Sequence, residues 1–533
     1  MSKDTFLRGA FILTMAGIIV KIIGAANRIL LSRLLGGEGI GLYQMAYPIY
    51  LLALSISSAG LPVAISIMVA EKNAIRDYIG AQRVFRISGV ALTITGLAFS
   101  ALLYVSAGWL VDTGLVRDPR AYWALIALSP AIFVVTIVSA LRGYFQGLQQ
   151  MTPTAVSQIM EQLVRVVTMI AFAVLLLPYG LEYAAAGATF GAAPGALAGL
   201  LVLLGYYYTD RHARRRALLQ QDTSLPREQL SSILKRLIVL ALPVSLANIM
   251  LPVVANIDLF IVPHRLAVAG YSVEESTELF GYLTGMATSL VNLPTILTAS
   301  LAASLVPAVS AAFMKRDTDQ IYRRTDVAMR IANLLTLPSF VGMAVIATPI
   351  SQMLYATPNA GPSIRIMSLG IFLLGIQQVT TGILQGMGRT AIPLINMVAS
   401  AGVKIVLGWT LTAIPWLGIE GAAWATNADF GVAAVLNLYF LHRYLRYRMD
   451  YGHTLRITAA AAGMGVCTYA AYVGLYGMLH SNTLSTLGAI AVGVVAYTIG
   501  LVLVKGVSSR DVAAIPKIGA KAAAVMAKWE RRI

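Results

Sequence analysis

Cysteine and charge are both scarce in this chain of 533 residues. Cys467 is the single cysteine and 12% of residues are charged. One cysteine excludes an internal disulfide and a thiolate metal cluster. Nor is there a Walker-type arrangement: RGYFQG (142–147) and ILQGMG (383–388) are glycine-bearing, but neither carries the phosphate-loop lysine or follows a strand. A catalytic constellation is missing too. The connections on the outer side are short, and the acidic loop 262–280 among them, with Glu274, Glu275 and Glu278, holds no metal-binding or nucleophilic pattern. No catalytic residue, cofactor or metal is therefore expected. The first apolar stretch lacks a small-residue cleavage site and is followed by further apolar stretches, so it reads as a retained helix.

What is abundant is apolar surface. Hydrophobic residues make up 58% of the chain, and the mean hydropathy is +0.75. A membrane-crossing helix needs about 20 mainly apolar residues. About fourteen such stretches follow one another, centred near 20, 55, 95, 131, 165, 196, 248, 294, 338, 374, 401, 431, 466 and 494. The fold class is an all-α integral membrane protein.

The net charge of +17 would suit a nucleic-acid binder, but its distribution points elsewhere. Assigned to connections in order, 31 of the 40 lysines and arginines fall on one side. Five (Arg33, Arg117, Arg120, Arg265, Arg365) fall on the other, and four (Lys21, Arg28, Arg165, Lys404) lie within spans. By the positive-inside rule both termini are cytoplasmic and the chain lies in the cell membrane. RHARRR (211–216) and KRDTDQIYRR (315–324) then face anionic membrane lipid, with no nucleic acid involved. The tail 506–533 sets Lys517, Lys521 and Lys528 against Ile518, Val525 and Trp529. It lies in the cytoplasmic interface or stands as a solvated helix.

The chain also repeats itself. LRGYFQGLQQMTPTAVSQIMEQLVRV (141–166) matches TTGILQGMGRTAIPLINMVASAGVKI (380–405) at an offset of 239, superposing Gly143 on Gly382, Gly147 on Gly386 and Arg165 on Lys404. A second pairing sets GLPVAIS (60–66) against LVPAVSA (305–311), with Arg86 against Arg330, at offsets of 244 to 245. Matched loops on the same side make the repeat parallel, an arrangement found in transporters with midplane binding sites. The expected organisation is a first lobe to residue 208, a basic linker 209–236, a second lobe 237–445, two trailing spans in 446–505 and the tail 506–533. Gly143, Gly147, Gly382 and Gly386 are expected hinges.

A charge at bilayer depth costs about 2.5 to 3.5 kcal/mol on insertion scales, so it normally faces protein or water. Lys21 and Arg28 are seven apart, about two helical turns, with Gly17 and Gly24 on the same stripe. They meet an anionic head group, or Arg28 and Arg33 snorkel to the interface. Glu161 and Arg165 can pair on one face; in the repeat the acid becomes Ser400 while Lys404 keeps the cation. Asn256 and Asp258 stand in the seventh span where the first has Lys21 and Arg28. Asp258 and Asp429 either couple transport to an ion or are structural. Gln44, Tyr47 and Tyr50 offer hydrogen bonds to a sugar or form an aromatic belt.

Beyond these single positions, NRILLSRLLGGEGIGLYQMAYP (27–48), GLPVAISIMVAE (60–71), LRGYFQG (141–147), QIMEQLVRVV (158–167) and LVPAVSAA (305–312) resemble the multidrug/oligosaccharidyl-lipid/polysaccharide exporter superfamily. Within it the chain resembles the polysaccharide-transporter branch, and more distantly the lipid II flippases. The resemblance implies two six-helix lobes around a central cavity, two extra C-terminal helices and alternating access. The implied substrate is a polyprenyl-diphosphate-linked saccharide used in peptidoglycan or spore-cortex assembly, with cell-wall synthesis enzymes as protein partners. Lys21 matches the first basic position of the lipid II flippases' first helix. Asn27 and Arg28 stand where those proteins have an Arg-Asp pair, and residues 40–69 contain no lysine or arginine. A drug/cation antiporter using Glu161, Asp258 or Asp429, and a non-transporting scaffold, are the alternative readings.

Overall fold

A computed structural model describes residues 3–58, 60–212 and 228–506. The linker segment 213–227, with most of RHARRR, and the tail from 507 onward lie outside the described residues. The helices are α1 Lys3–Ser58, α2 Leu61–Ala74, α3 Tyr78–Asp112, α4 Ala121–Gly147, α5 Met151–Leu176, α6 Leu181–Phe190, α7 Ala192–Thr209, α8 Leu230–Val268 and α9 Val273–Phe280. They continue as α10 Thr288–Met314, α11 Thr318–Val345, α12 Ala347–Tyr355, α13 Gly361–Met367, α14 Leu369–Gly386, α15 Ala391–Leu411, α16 Ile419–Leu445, α17 Tyr451–Leu479 and α18 Asn482–Leu503.

Among the described residues, twelve segments are long and apolar enough to cross a membrane. The first, Ile12–Ala74, holds two crossings, because Gly36 breaks α1 with φ 67 and ψ −171. Adding α16, long enough at 27 residues but carrying Glu420 and Asp429, recovers fourteen. Side chains such as Val105, Val167, Leu201, Val406 and Val494 are exposed on the outer faces, as lipid-facing positions should be.

Local chemistry sets the boundaries. Asp77 and Asp317 cap α3 and α11, accepting from the amides of Gly80 and Gln320. Ser272 and Glu275 form a reciprocal capping box on α9. Three prolines lie within α8 (Pro243, Pro252, Pro263), which bilayer helices tolerate; Asn256 Nδ2 also donates to Pro252 O at 2.7 Å.

The chain divides into two compact units. The first takes residues up to Ala267 together with Tyr271–Gly281; the second takes Tyr282 onward with 268–270. In the first, Ile65, Met68, Val69, Val84, Leu92, Tyr144, Ile233 and Leu237 form one apolar core joining α2, α3, α4 and α8. The expected lobes ended at 208 and began again at 237; α8 packs within the first unit. In the second, Val309, Met329, Val379, Ile383 and Leu441 join α10, α11, α14 and α16. The trailing helices α17 and α18 dock on α11, through Ile457 and Ala461 against Leu337 and through Tyr497 Oη donating to Leu334 O at 2.9 Å.

Both units contain the same close helix crossing. A Cβ on Gly143 would sit 2.7 Å from Pro62 O, and one on Gly382 2.7 Å from Ala302 O; Gly147 and Gly386 abut Ser66 O and Val306 O in the same way, each at 2.8 Å. Two small residues four apart let α4 and α14 press against α2 and α10 backbone to backbone. These contacts also correct the register of the second sequence pairing. Pro62 with Ala302, Ser66 with Val306, Val69 with Val309 and the cap Asp77 with Asp317 are all 240 apart, so the expected offset of 244 to 245, and the match of Arg86 to Arg330, is replaced by 240.

Candidate functional site

Gly36 is the residue that assembles the first part of the site. In a straight helix Arg28 and Gln44 would stand about 24 Å apart, yet Arg28 Nη1 donates to Gln44 Oε1 at 3.2 Å. The positive φ at Gly36 reverses the chain and brings the two arms of α1 side by side. The Arg28 guanidinium lies 5.8 Å from the Tyr43 ring centroid. Tyr43 stacks on Tyr47 at 5.3 Å, and Tyr47 meets Tyr50 at 5.7 Å, so three phenols run along the second arm. Their position inside the unit, with Tyr43 and Tyr50 buried, sets them apart from an interfacial aromatic belt.

The other half comes from α4 and α5. Glu161 accepts from Arg165, the i,i+4 pair expected from spacing, and also from Arg142 Nη2 at 2.8 Å. Arg142 Nε donates in addition to Ser157 Oγ at 3.1 Å. Arg142, counted by charge among the 31 cations of the connections, lies inside α4, five residues before its end. Its signal was its place at the end of an apolar run, masked by the glycine motif that follows. One carboxylate serving two guanidiniums leaves the cluster with surplus positive charge. Arg165 is within electrostatic range of Tyr43, Tyr47 and Tyr50, which ties this cluster to the tyrosine run.

Lys21 is exposed on α1. Gly24, between it and Arg28 on the same face, leaves room for Gln162 Nε2 of α5, 3.3 Å from where its Cβ would be. The Lys21–Arg28 stripe therefore faces the helix that carries Arg165. Asn27 meets the same helix two turns from Gln162: it is buried, its Nδ2 donates to Met169 Sδ at 3.4 Å, and its Oδ1 has no hydrogen-bond partner among the described residues. Asn256 is buried as well and donates to Pro48 O at 2.9 Å, pinning α8 to α1. Asp258, two residues on, is half-buried.

In the second unit Lys404 is 5% exposed. Ser400, one turn before it on the same face, donates its hydroxyl to Asp429 Oδ1 at 2.5 Å. Where the first repeat takes its acid from the same helix, the second takes it from the next one. Asn437, which the sequence did not single out, binds Thr380, Thr381 and Asn396 in a buried amide–hydroxyl network at 2.8 to 3.1 Å.

Outside the spans, the connection between α3 and α4 is also held by charge. Asp118, fully buried, accepts from Arg120 at 2.8 Å and from Thr277 Oγ1 at 2.7 Å, and Arg120 reaches Glu38 at 2.6 Å. The bond to Asp118 raises the Arg120 pKa, while burial lowers that of Arg117, which donates to Pro263 O.

Comparisons with known proteins give the family and the fold. A profile of the family described as "Polysaccharide biosynthesis protein" matches residues 6–313, and one for MatE matches residues 243–410. The chain is 34% identical to stage V sporulation protein B of Bacillus subtilis (strain 168) over 82% of this chain and 83% of that one. It is 27% identical to the lipid II flippase MurJ of the same organism, over 87% and 88%. A solved structure of the lipid II flippase MurJ in an inward closed conformation superposes with a TM-score of 0.66 at 16% identity, covering 92% of this chain and 98% of that one. The fold is thus that of the two-lobe exporters. With its many apolar helices and a profile match over more than half its length, the chain belongs to the polysaccharide biosynthesis protein family, as a multi-pass membrane transporter rather than an enzyme.

Proposed function

We propose that this transporter moves a polyprenyl-diphosphate-linked saccharide such as lipid II from the cytoplasmic to the outer leaflet of the cell membrane, by alternating access, in peptidoglycan or spore-cortex assembly. The observation that carries the reading is the cationic surplus of the first unit. Arg28, Arg142 and Arg165 are gathered around one carboxylate and three phenols, with Lys21 on the adjoining stripe. Diphosphate is recognised by such donors, Arg above all for its planar fork, and Gln44 and Tyr47 supply hydrogen bonds suited to a sugar. In the second unit, among the described residues, Lys404 is not accompanied by a similar surplus, so the diphosphate is assigned to the first.

The antiporter alternative needs carboxylates that take up and release cations. Glu161 is committed to two arginines and Asp429 accepts the Ser400 hydroxyl, which favours ion-pair and packing roles for both. The parallel lobes 1–208 and 237–445, cytoplasmic termini, hinge action at the paired glycines and contact of the basic linker with anionic lipid belong to the same proposal.

The test is to deplete a cell of its lipid II flippases and measure outer-leaflet lipid II. This chain is expected to restore it, and Lys21→Ala/Arg28→Ala, inserted at the same level, is expected not to. Equal rescue by the double variant refutes the site; no rescue by the wild type refutes the substrate, and leaves the scaffold reading.

A further inference from the structure

In the second unit a cavity of about 260 Å³ opens where α17 begins and α18 ends. Arg330 of α11, Asp450, Gly452, His453 and Arg456 at the start of α17, and Lys505 and Gly506 at the end of α18 line it. Three permanent cations thus face one carboxylate. Arg330 already has acidic company, with Nε 3.0 Å from Asp326 and Nη2 3.6 Å from Asp450. Arg456 and Lys505 have no acidic partner among the described residues, and both are exposed.

The backbone adds to the same field. Asp450 uses its carboxylate to cap the amide of His453, and this hydrogen bond holds its pKa below the ordinary carboxylate range. The cavity also lies at the first turn of α17, the positive end of that helix. Lys505 takes a positive φ of 52 as the chain leaves α18, and Gly506 N returns to Leu501 O at 2.9 Å, which fixes the lysine at the rim. A space of this size holds roughly eight waters, enough for a phosphate group and its hydration.

We propose that this cavity is a binding site for a phosphate group, held by Arg456 and Lys505 with Arg330 behind them, distinct from the cationic cluster around Glu161. The group arrives on a phospholipid head or as free phosphate. Both sources share the chemistry of anionic phosphate oxygens against a fork and an ammonium; a head group has the advantage that the cavity sits at the ends of two apolar helices, α17 and α18, where lipid phosphate is already concentrated.

The experiment uses the full chain in zwitterionic phosphatidylcholine nanodiscs. Thermal unfolding is followed while phosphatidylglycerol is raised in one arm and inorganic phosphate, against equal ionic strength of chloride, in the other. The wild type is expected to gain stability in at least one arm. A gain with the lipid alone identifies the head group, and a gain with inorganic phosphate identifies the free anion. Arg456→Gln/Lys505→Gln is expected to lose roughly thirty-fold in apparent affinity, two basic contacts at about 1 kcal/mol each. Arg443→Gln/Arg446→Gln, removing two exposed basic residues that do not line the cavity, is expected to respond as the wild type does. Should the glutamine pair respond like the wild type, should both pairs lose affinity alike, or should the wild type show no gain in either arm, the proposal fails. If the glutamine pair folds poorly, the single variant Lys505→Gln, at an exposed rim position, is read in the same way with a loss of about five-fold expected.

Discussion

Replacing Glu161 by glutamine puts the charge arrangement of the first unit under direct test. The carboxylate is shared between Arg142 and Arg165, and the three side chains are 12 to 18% exposed. At the 2.8 Å separation of Glu161 from Arg142, and with an effective dielectric constant of about 20, gross attraction is roughly 6 kcal/mol. Most of that offsets the cost of taking the ions out of water, so the pair is worth little net while intact. Removing the anion is different: it leaves two guanidiniums without their counter-charge. Loss of one partner in a buried pair costs about 3 to 5 kcal/mol, and that is the expected fall in unfolding free energy for Glu161→Gln.

Arg142→Met leaves one carboxylate facing one guanidinium and is expected to cost less than about 2 kcal/mol, within the range of ordinary substitutions. The double variant Glu161→Gln/Arg142→Met leaves a single uncompensated cation in place of two. It should be more stable than the sum of the single changes predicts, by about 1 to 3 kcal/mol. Denaturant titration of the wild type and three variants in mixed micelles completes the cycle. Additivity within about 0.5 kcal/mol would refute the shared carboxylate.

The paired glycine notches should respond alike: Gly143→Ala and Gly382→Ala each force a Cβ to 2.7 Å from a carbonyl oxygen and should cost about 1 to 3 kcal/mol by thermal unfolding, whereas Gly402→Ala, with nothing within 4 Å of its Cβ, should be neutral or stabilising by up to about 1 kcal/mol. Asp450 contributes through a carboxylate whose folded pKa is depressed by the His453 amide, so its stabilisation is complete above the ordinary carboxylate pKa and is lost as pH falls through the lower, folded one. Hydrogen exchange at 451–454 should accelerate in that acid window, and Asp450→Ala should abolish the pH dependence. Moving the acid of the second repeat back to the position it has in the first, with Asp429→Ala/Ser400→Glu, should recover at least half of the stability lost in Asp429→Ala; no recovery would break the proposed equivalence of Glu161 and Asp429.

The spans were legible because an apolar run long enough to cross a bilayer has few other fates, and the glycine pairs were legible because small residues four apart recur at one offset. Partners across helices were not. Spacing reveals Glu161 beside Arg165 on one helix, but nothing in a linear reading says that Arg142, from the previous span, closes on the same carboxylate. The reversal at Gly36 hid the meeting of Arg28 with Gln44 for the same reason: both lie in one unbroken apolar stretch. In the second repeat the sequence records a loss, glutamate to Ser400, while the structure records a relocation. Asp429 supplies the carboxylate from the following helix, through the Ser400 hydroxyl. Along the chain that residue aligns, from the shared Gly180 and Gly418 that open the sixth and twelfth spans with positive φ, with Gly191, where the first repeat has no side chain and α5 packs close through Met169. An acid on α5 itself, or a serine on α15 bonded to an acid of α16, are two solutions to the same requirement for a carboxylate on the face that carries the cation. The two halves therefore share a demand for charge more closely than they share residues, and the surplus cation of the first half is the feature for which the second has no counterpart among these pairs.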